Sequence, residues 1–196
     1  MPATIQYQAA DLILAALGAV PSAVAINLLV AWMEQEYTAA DLAATNNPLA
    51  TSQQSTGAVG YCTLPSGETS SEPCYDTLAH GAAACADTLR NGLYGDLLAG
   101  LQAGSAGTFL GSQGLYELAV WAGGPGAPNY AYAQAVASTY AGLPAPPSWA
   151  LAAIPPAAPP GTTPPLFPAP NPWLILALLG GAGGGLALAI ALRNRG

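Results

Sequence analysis

The feature that most constrains this chain is an uncharged run of 20 residues close to its C-terminus. Residues 173–192, WLILALLGGAGGGLALAIAL, precede the short tail RNRG of residues 193–196. As an α-helix the run would be about 30 Å long, which matches the hydrocarbon core of a bilayer. A buried helix of a soluble protein is the alternative, but the five glycines between Gly180 and Gly185 disfavour it. The sequence therefore predicts one C-terminal transmembrane helix.

The residues at the two ends of this run suggest its orientation in the bilayer. Trp173 begins it, where an interfacial aromatic side chain belongs, and Arg193 and Arg195 follow it. The positive-inside rule then predicts a C-terminus inside and an N-terminal domain outside. Small residues four apart, such as Gly180 and Gly184, would also allow a second transmembrane helix to pack closely.

The segment before the apolar run is rich in proline. Residues 144–172 hold 12 of the 19 prolines. Proline cannot donate to helix or sheet hydrogen bonds and favours an extended conformation of about 3.1 Å per residue. We expect a proline-rich stalk that holds residues 1–143 away from the membrane. A docking site for a proline-recognising partner is the alternative.

The charge distribution excludes one class of partner. The chain has ten acidic residues, three arginines and no lysine, and all the acids lie between Asp11 and Glu117. Without a basic patch the chain cannot neutralise phosphates, so no nucleic acid is expected as a ligand. The N-terminal stretch also lacks the positive charge of a signal peptide. We interpret that stretch as the first helix of the domain, with a cleaved signal as the alternative.

Hydrophobic spacing predicts a mainly α-helical domain over residues 1–143. Pro21 and Ser22 mark a helix start, and Ile26, Leu29 and Met33 then follow on one apolar face. Residues 45–73 lack periodicity and predict a polar loop or a short hairpin. The predicted helices are 8–18, 22–37, 78–90, 94–103, 111–122 and 130–141.

Three cysteines and one histidine limit the chemistry of the domain. Their spacing matches no zinc motif, so neither a metal nor a cofactor is predicted. In an oxidising space a Cys62–Cys74 disulfide could close a loop of about 13 residues, and pairings through Cys85 remain open. A cysteine nucleophile assisted by His80 is an alternative that needs the thiol and the imidazole in contact.

Two carboxylates, Glu34 and Glu36, close the apolar helix. Two solvated acids at a helix end would be an ordinary arrangement. If apolar neighbours instead desolvate one of them, that carboxyl group holds its proton and can act as an acid. The spacing of the two residues does not decide between them.

Three stretches carry a resemblance to a known family. LLVAWMEQE, NNPLAT and YDTLAHGAAACADTLRNGLYGDLLAGLQAG resemble a lysozyme-like family that is common in bacteriophages and bacteria. A later stretch, LAVWAGGPGAPNYAYAQAVASTY, is similar to the closing segment of that family through Trp121 and Tyr130 or Tyr132. The resemblance covers roughly residues 22–140. The matched positions are Ala31, Trp32, Glu36, Asn46, Asn47, Pro48, Thr51, Tyr75, Gly81, Thr88, Leu89, Asn91, Gly92 and Tyr94.

The resemblance implies a lysozyme-like helical fold with a cleft for peptidoglycan glycan strands. Glu36 would be the general acid, and many members of the wider group act with one essential glutamate instead of two carboxylates. Relatives tend to follow this glutamate with glycines, whereas Tyr37 and Thr38 follow here, which could narrow the cleft or mark lost catalysis. The implied sugar contacts are Asn46, Asn47, Thr51, Tyr75 and Tyr94, although Asn-Asn-Pro can also simply fix a turn.

These expectations combine into a membrane-anchored peptidoglycan glycosidase, either a lysozyme or a lytic transglycosylase. The favoured setting is a phage virion membrane, where the enzyme would aid penetration of the cell wall, and a bacterial envelope is the alternative setting. The rival interpretation is a lysozyme-like structural or glycan-binding protein without catalysis.

Overall fold

The computed structural model describes residues 2–151. They form a mainly helical domain with eight α-helices, a two-stranded ribbon and a terminal 3₁₀ turn. No helix within this range is long and apolar enough to cross a bilayer. The predicted transmembrane helix 173–192, the tail 193–196 and most of the predicted stalk lie outside the described residues. The elements are α1 (Thr4–Leu17), α2 (Ala23–Glu36), α3 (Ala39–Thr45), β1 (Ala58–Gly60), β2 (Cys74–Tyr75), α4 (Leu78–Leu89), α5 (Gly95–Ala103), α6 (Ala106–Phe109), α7 (Ser112–Gly123), α8 (Tyr130–Gly142) and the 3₁₀ turn Ser148–Leu151.

Helix α2 is the centre of the domain. The Ser22 hydroxyl caps its first turn by accepting from the backbone N–H of Ala25 at 3.1 Å. Every residue from Ala25 to Met33 is buried, because α2 contacts α1, α5, α6 and α8. The helix leaves the core only in its last turn, which ends at Glu36. The packing of α2 thus delivers this carboxylate to the edge of the core.

Two short helices were not predicted from the sequence. In α3 the Thr38 hydroxyl accepts from the backbone N–H of Asp41 at 3.2 Å and donates to the Asp41 carboxylate at 2.6 Å. In α6 the Ser105 hydroxyl accepts from the backbone N–H of Thr108 at 3.2 Å. Both helices start at a capping residue but are too short to produce a periodic apolar pattern.

Helix α4 approaches the end of α3 very closely. Asn46 ends α3 in the left-handed conformation, with φ of 51°, which asparagine tolerates better than most residues. A Cβ placed on Gly81 of α4 would lie 1.6 Å from the Asn46 carbonyl oxygen. Glycine is therefore required at position 81 for α3 and α4 to pack together.

The predicted polar region contains a short antiparallel ribbon. Strand β1 pairs with β2 through Ala58 with Tyr75 and Gly60 with Cys74. A disulfide joins Cys62 to Cys74 across the loop between the strands. The pairing that the sequence left open is thereby resolved, and Cys85 is a buried free thiol.

Reduction of this disulfide should lower the free energy of unfolding by about 3 kcal/mol, because the closed loop restricts the unfolded chain. Thermal unfolding is followed by spectroscopy with and without a reductant that does not absorb at the wavelength used. The shift of the unfolding midpoint measures the change. A variant carrying both Cys62→Ala and Cys74→Ala is the control, and its midpoint should not respond to the reductant. An unchanged midpoint in the parent protein would contradict the expectation.

The folded unit extends beyond residue 143, where the sequence analysis began the stalk. Within the described residues, the compact unit continues to Leu151. The Asn27 side-chain amide donates to the Pro144 carbonyl at 2.9 Å, and the Trp149 ring meets Tyr7 edge-on with ring centroids 6.0 Å apart. Ala150 is fully buried. The first prolines of the predicted stalk are thus part of the domain, because a side-chain amide and an aromatic contact fix them to α1 and α2.

Candidate functional site

Glu36 accepts a hydrogen bond from a tyrosine that lies 96 residues further along the chain. Helix α8 packs against α2, and the Tyr132 hydroxyl donates a hydrogen bond to Glu36 Oε1. Burial, followed by the charge of Glu36 and the hydrogen bond to it, raises the pKa of Tyr132 well above its usual value. Tyr132 therefore remains a neutral phenol that can only donate to this carboxylate or share its proton.

A group of aromatic rings lies one helical turn before Glu36. The indole of Trp32 is completely buried and packs edge-on against Trp121 of α7, with ring centroids 4.8 Å apart. Trp121 in turn contacts Tyr94 at 5.1 Å. The indole N–H of Trp32 makes no hydrogen bond of ordinary geometry. It lies close to the Tyr132 hydroxyl, and this proximity offsets a small part of the increase in the pKa of Tyr132. The rings connect the surroundings of Glu36 to the surface around Tyr94.

The surroundings of Glu36 also include the buried thiol of α4. Burial raises the pKa of Cys85 to about 12, and the negative charge of Glu36 adds to this increase. The Cys85 sulfur is 4.0 Å from Asn47 Oδ1, and the same Oδ1 accepts from the Thr51 backbone N–H at 3.0 Å. Cys85 thus contacts the side chain that holds the loop after α3.

The loop after α3 and the rings of Tyr94 and Trp121 border the same surface cleft, which has a volume of about 150 Å³. Its rings are Tyr94 and Trp121, its hydroxyls come mainly from threonine and serine, and its single carboxylate is Glu72. Glu36 is not among the lining residues. Pockets for drug-sized ligands are typically about 300–1,000 Å³, so this cleft suits one ring of a longer ligand. The lining residues are Ala50, Thr51, Ser52, Glu72, Thr88, Tyr94 and Trp121.

The loop that forms one wall of the cleft has an unusual backbone. Ala50 has a φ of 49°, a conformation that residues with a Cβ rarely adopt. Two hydrogen bonds to Asn47 fix this backbone. The Asn47 carbonyl accepts from the backbone N–H of Ala50, and the Asn47 side-chain oxygen accepts from the backbone N–H of Thr51. The Thr51 hydroxyl then contacts the Thr88 hydroxyl of α4 at 2.6 Å. The wall is therefore fixed before any ligand binds.

Of the five predicted sugar contacts, two lie at the cleft, Thr51 and Tyr94. Asn47 is completely buried, and its amide donates to the carbonyls of Thr51 and Pro73, each at 2.9 Å. Tyr75 is also buried, and its hydroxyl donates to the Gln53 carbonyl.

The assignment of Asn47 and Tyr75 is corrected, because neither side chain lines the cleft and the polar groups of both are engaged in hydrogen bonds to backbone carbonyls. Asn46 is only partly buried, but its amide donates to the Tyr75 carbonyl at 3.0 Å. These three residues support the cleft instead of lining it.

No pattern in the sequence indicated the role of Glu117. This carboxylate is buried and accepts the backbone N–H groups of Asp96 and Leu97 at 3.0 Å each. It therefore caps the first turn of α5, where the helix dipole favours a negative charge. Because Tyr94 directly precedes α5, this buried acid holds a ring of the cleft in place.

The structure separates the two glutamates at the end of α2. Glu34 is exposed and lines a groove of about 460 Å³ with residues that include Ser138 and Thr139. Glu36 is half-buried and contacts Tyr132. Glu34 is thus the solvated acid, and Glu36 is the one in an apolar and aromatic setting.

The alternative of a cysteine nucleophile fails. Cys62 and Cys74 form the disulfide, and Cys85 is completely buried with a raised pKa. His80 instead pairs with Asp76 at 2.6 Å on the surface, and its hydrogen bond lowers the pKa of that carboxylate. Among residues 2–151, no group of three histidine, cysteine, aspartate or glutamate side chains could hold a metal ion.

Comparison with known proteins adds no relative to these observations. No family profile, no characterised protein and no solved structure matches the chain.

Proposed function

We propose that the chain is a membrane-anchored, lysozyme-like glycosidase that cleaves the glycan strands of peptidoglycan. One observation carries the proposal: α2 is buried from Ala25 to Met33 and ends at a carboxylate whose Oε1 accepts a hydrogen bond from the Tyr132 hydroxyl. The motif resemblance around Glu36 and the aromatic cleft nearby support the same conclusion. Aromatic faces and hydroxyl groups suit sugar rings, and Glu36 supplies the acid that glycoside cleavage requires.

The proposed reaction is acid-assisted cleavage of a glycosidic bond. Because Tyr132 occupies Oε1, the proton to be donated lies on Oε2 of Glu36. Transfer of this proton to the glycosidic oxygen lets the C1–O bond break, and the leaving sugar departs as an alcohol. Water then adds to C1 in a lysozyme, or the 6-hydroxyl of the same sugar adds in a lytic transglycosylase. In both cases the Glu36 carboxylate takes up the proton that the attacking O–H group loses, which restores the acid. The Tyr132 hydrogen bond strengthens as Glu36 becomes charged, which favours the transition state over the bound substrate.

The apolar run of residues 173–192 supports a membrane setting for this domain. Residues 173–192 would anchor the chain, and the remaining stalk residues would separate the domain from the bilayer. A tether raises the local concentration of the enzyme at the wall. A virion membrane, with the domain outside and the C-terminus inside, is the setting that we propose.

Tyr132→Phe should reduce the turnover number by about 10- to 100-fold, because a hydrogen bond to a charged group contributes about 1.5–3 kcal/mol. Without the donor, the charged form of Glu36 is less stable, and the carboxyl group keeps its proton to higher pH. The alkaline limb of the pH–activity profile should therefore move upwards. Tyr130→Phe is the matched control, since Tyr130 is exposed on the same helix and should leave the rate and the profile unchanged. A profile that does not move in Tyr132→Phe would assign Tyr132 a merely structural role.

Product analysis tests the proposed function. The full-length protein in detergent is mixed with purified cell walls, and the soluble fragments are examined by mass spectrometry. We expect glycan fragments with a reducing end from a lysozyme, or with a 1,6-anhydro ring from a transglycosylase. Fragments cut only in the peptide stems would overturn the proposal.

One observation favours a second candidate, a glycan-binding protein without catalysis. The cleft with the aromatic rings does not include Glu36 among its lining residues. A protein of this kind would bind purified walls but release no fragments. Co-sedimentation with the walls, measured beside the product analysis, distinguishes the two candidates.

A further inference from the structure

A second groove lies where the start of α1 meets the segment that follows α8. Its volume is about 280 Å³, against about 150 Å³ for the cleft beside Tyr94, and the two share no lining residue. No residue that lines this groove carries a charged side chain, so it offers no partner to a charged ligand. The groove is lined by two aromatic rings, Tyr7 and Trp149, by three prolines, Pro2, Pro144 and Pro147, and by Thr4.

The two rings of this groove differ in exposure. Trp149 is 43% exposed, whereas Tyr7 is only 5% exposed. Their planes are inclined at 81° with centroids 6.0 Å apart, so the buried ring supports the exposed one. An aromatic side chain held in this way offers a large contact area and loses little conformational entropy when a ligand binds.

The segment that carries Trp149 is fixed by contacts on both sides of it. The Asn27 side-chain amide donates to the Pro144 carbonyl at 2.9 Å, and the Ala150 backbone N–H donates to the Pro147 carbonyl at 3.0 Å. Ala150 is itself completely buried. The groove therefore exists before any ligand binds, which lowers the free-energy cost of binding.

The Tyr7 hydroxyl is a polar group of this groove that is left to a ligand. It makes no hydrogen bond to any other residue in the range 2–151. Burial, followed by the charge of Glu34, raises the pKa of Tyr7, so the hydroxyl keeps its proton and can both donate and accept. A nearly buried hydroxyl without a partner costs free energy, and a ligand that supplies the partner recovers it.

This combination of groups favours a sugar over other ligands. A sugar ring has apolar faces for the aromatic ring and hydroxyl groups that donate and accept, as the hydroxyls of Tyr7 and Thr4 do. Proline-rich peptides also bind in aromatic grooves, but proline has no N–H and offers only carbonyl acceptors. Such a peptide would leave the accepting capacity of both hydroxyls unused.

We infer that the groove of Tyr7 and Trp149 is an accessory binding site for an uncharged glycan. Trp149 stacks on a sugar ring, and the Tyr7 hydroxyl bonds to a hydroxyl of the same sugar. The inference rests on the proposed function for the identity of the strand, which is the peptidoglycan that the domain cleaves. A domain that holds a polymeric wall at this groove as well as at the catalytic site dissociates from it more slowly.

Nuclear magnetic resonance of the indole N–H groups tests the site directly. The chain has four tryptophans, and the loss of one signal in Trp149→Ala identifies that of Trp149. The full-length Glu36→Gln protein in detergent, which leaves the probe uncut, is titrated with the hexasaccharide of N-acetylglucosamine. We expect the Trp149 signal to shift and to saturate. A Trp149 signal that does not move would overturn the inference, and so would one that moves with decaproline but not with the sugar.

Two variants assign the binding to the two side chains. Tyr7→Phe keeps the ring and should keep the unfolding midpoint, but it should weaken the affinity read from the Trp149 signal by about 2- to 10-fold. Trp149→Ala should weaken retention on purified walls by about 30-fold, the loss typical of a dominant aromatic contact. Unchanged affinity in Tyr7→Phe would overturn the inference.

Tyr61→Ala is the control for Trp149→Ala. Tyr61 is an exposed aromatic residue that follows β1 and does not line the groove, so this variant should be retained on the walls like the parent. An equal loss of retention in Tyr61→Ala and Trp149→Ala would indicate unspecific adhesion of exposed rings and would overturn the inference.

Fragment release separates this inference from the proposed function. Release of glycan fragments by the parent protein, combined with a Trp149 signal that ignores the sugar, would overturn the accessory site and leave the glycosidase intact. A saturating shift of the Trp149 signal without any release from walls would overturn the glycosidase and support the glycan-binding groove.

Discussion

Glu36→Gln should reduce the release of soluble glycan fragments from purified walls by about 10²–10⁴-fold, the usual contribution of a general acid. Glutamine has nearly the same shape but carries no transferable proton. The free energy of unfolding should change little, because the amide can still accept the hydrogen bond of Tyr132. Fragment release and thermal unfolding are measured on the same preparation of the full-length protein.

Glu34→Gln is the matched control for this experiment. It removes an equal charge from the same last turn of α2, but Glu34 is exposed and faces a different groove. Its activity should remain within about twofold of that of the parent, as is usual for surface substitutions. Full activity in Glu36→Gln, or an equal loss in both variants, would contradict the assignment of the acid.

Asn47→Ala should have the largest effect on stability, a loss of roughly 3–9 kcal/mol. The substitution leaves the carbonyls of Thr51 and Pro73 and the backbone N–H of Thr51 without their partners. Each buried polar group left unsatisfied costs about 1–3 kcal/mol. Because the net stability of a domain is only about 5–15 kcal/mol, much of the chain would be unfolded at moderate temperature. Denaturant unfolding followed by tryptophan fluorescence gives the value.

Asn46→Ala is the comparison that separates support from substrate contact. Its side chain makes one hydrogen bond, to the Tyr75 carbonyl, so we expect a loss of only about 1–2 kcal/mol. If Asn47 instead contacted the glycan, Asn47→Ala would fold normally and lose affinity for it. A stable and weakly binding Asn47→Ala protein would therefore contradict the structural role.

The central helix was predictable because local signals agree along it. Ser22 caps α2, apolar residues follow at helical spacing, and the helix ends at Glu36 as the spacing implies. Helix α3 carries a comparable signal in Thr38 and Asp41. At Ala39–Thr45 it is too short to repeat an apolar pattern, so only the cap could have revealed it.

The contacts that define the site are not local. Tyr132 lies 96 residues after Glu36, and Glu117 lies 21 residues after Asp96, whose backbone N–H it accepts. No periodicity links such pairs, because packing of separate helices brings them together. Glu72 lies in a loop without periodicity, and nothing in the local sequence distinguishes it from Glu68.

Burial explains why the Asn-Asn-Pro segment was only partly understood. The same asparagine and proline residues are compatible with a turn and with a sugar contact. The structure distinguishes the two by exposure, since Asn47 has none. Thr51 is only four residues further on and is also buried, yet it lines the cleft. Which side chains reach the cleft depends on how α3, α4 and the ribbon pack, which the sequence pattern does not encode.

The most direct test of the proposed acid is a crystal structure of the Glu36→Gln variant with a peptidoglycan tetrasaccharide. The variant should retain the substrate uncleaved. The account predicts a glycosidic oxygen within about 2.6–3.2 Å of the side chain at position 36, with one sugar ring against Tyr94 and Trp121. A tetrasaccharide bound elsewhere, or in the cleft with every glycosidic oxygen far from position 36, would contradict it.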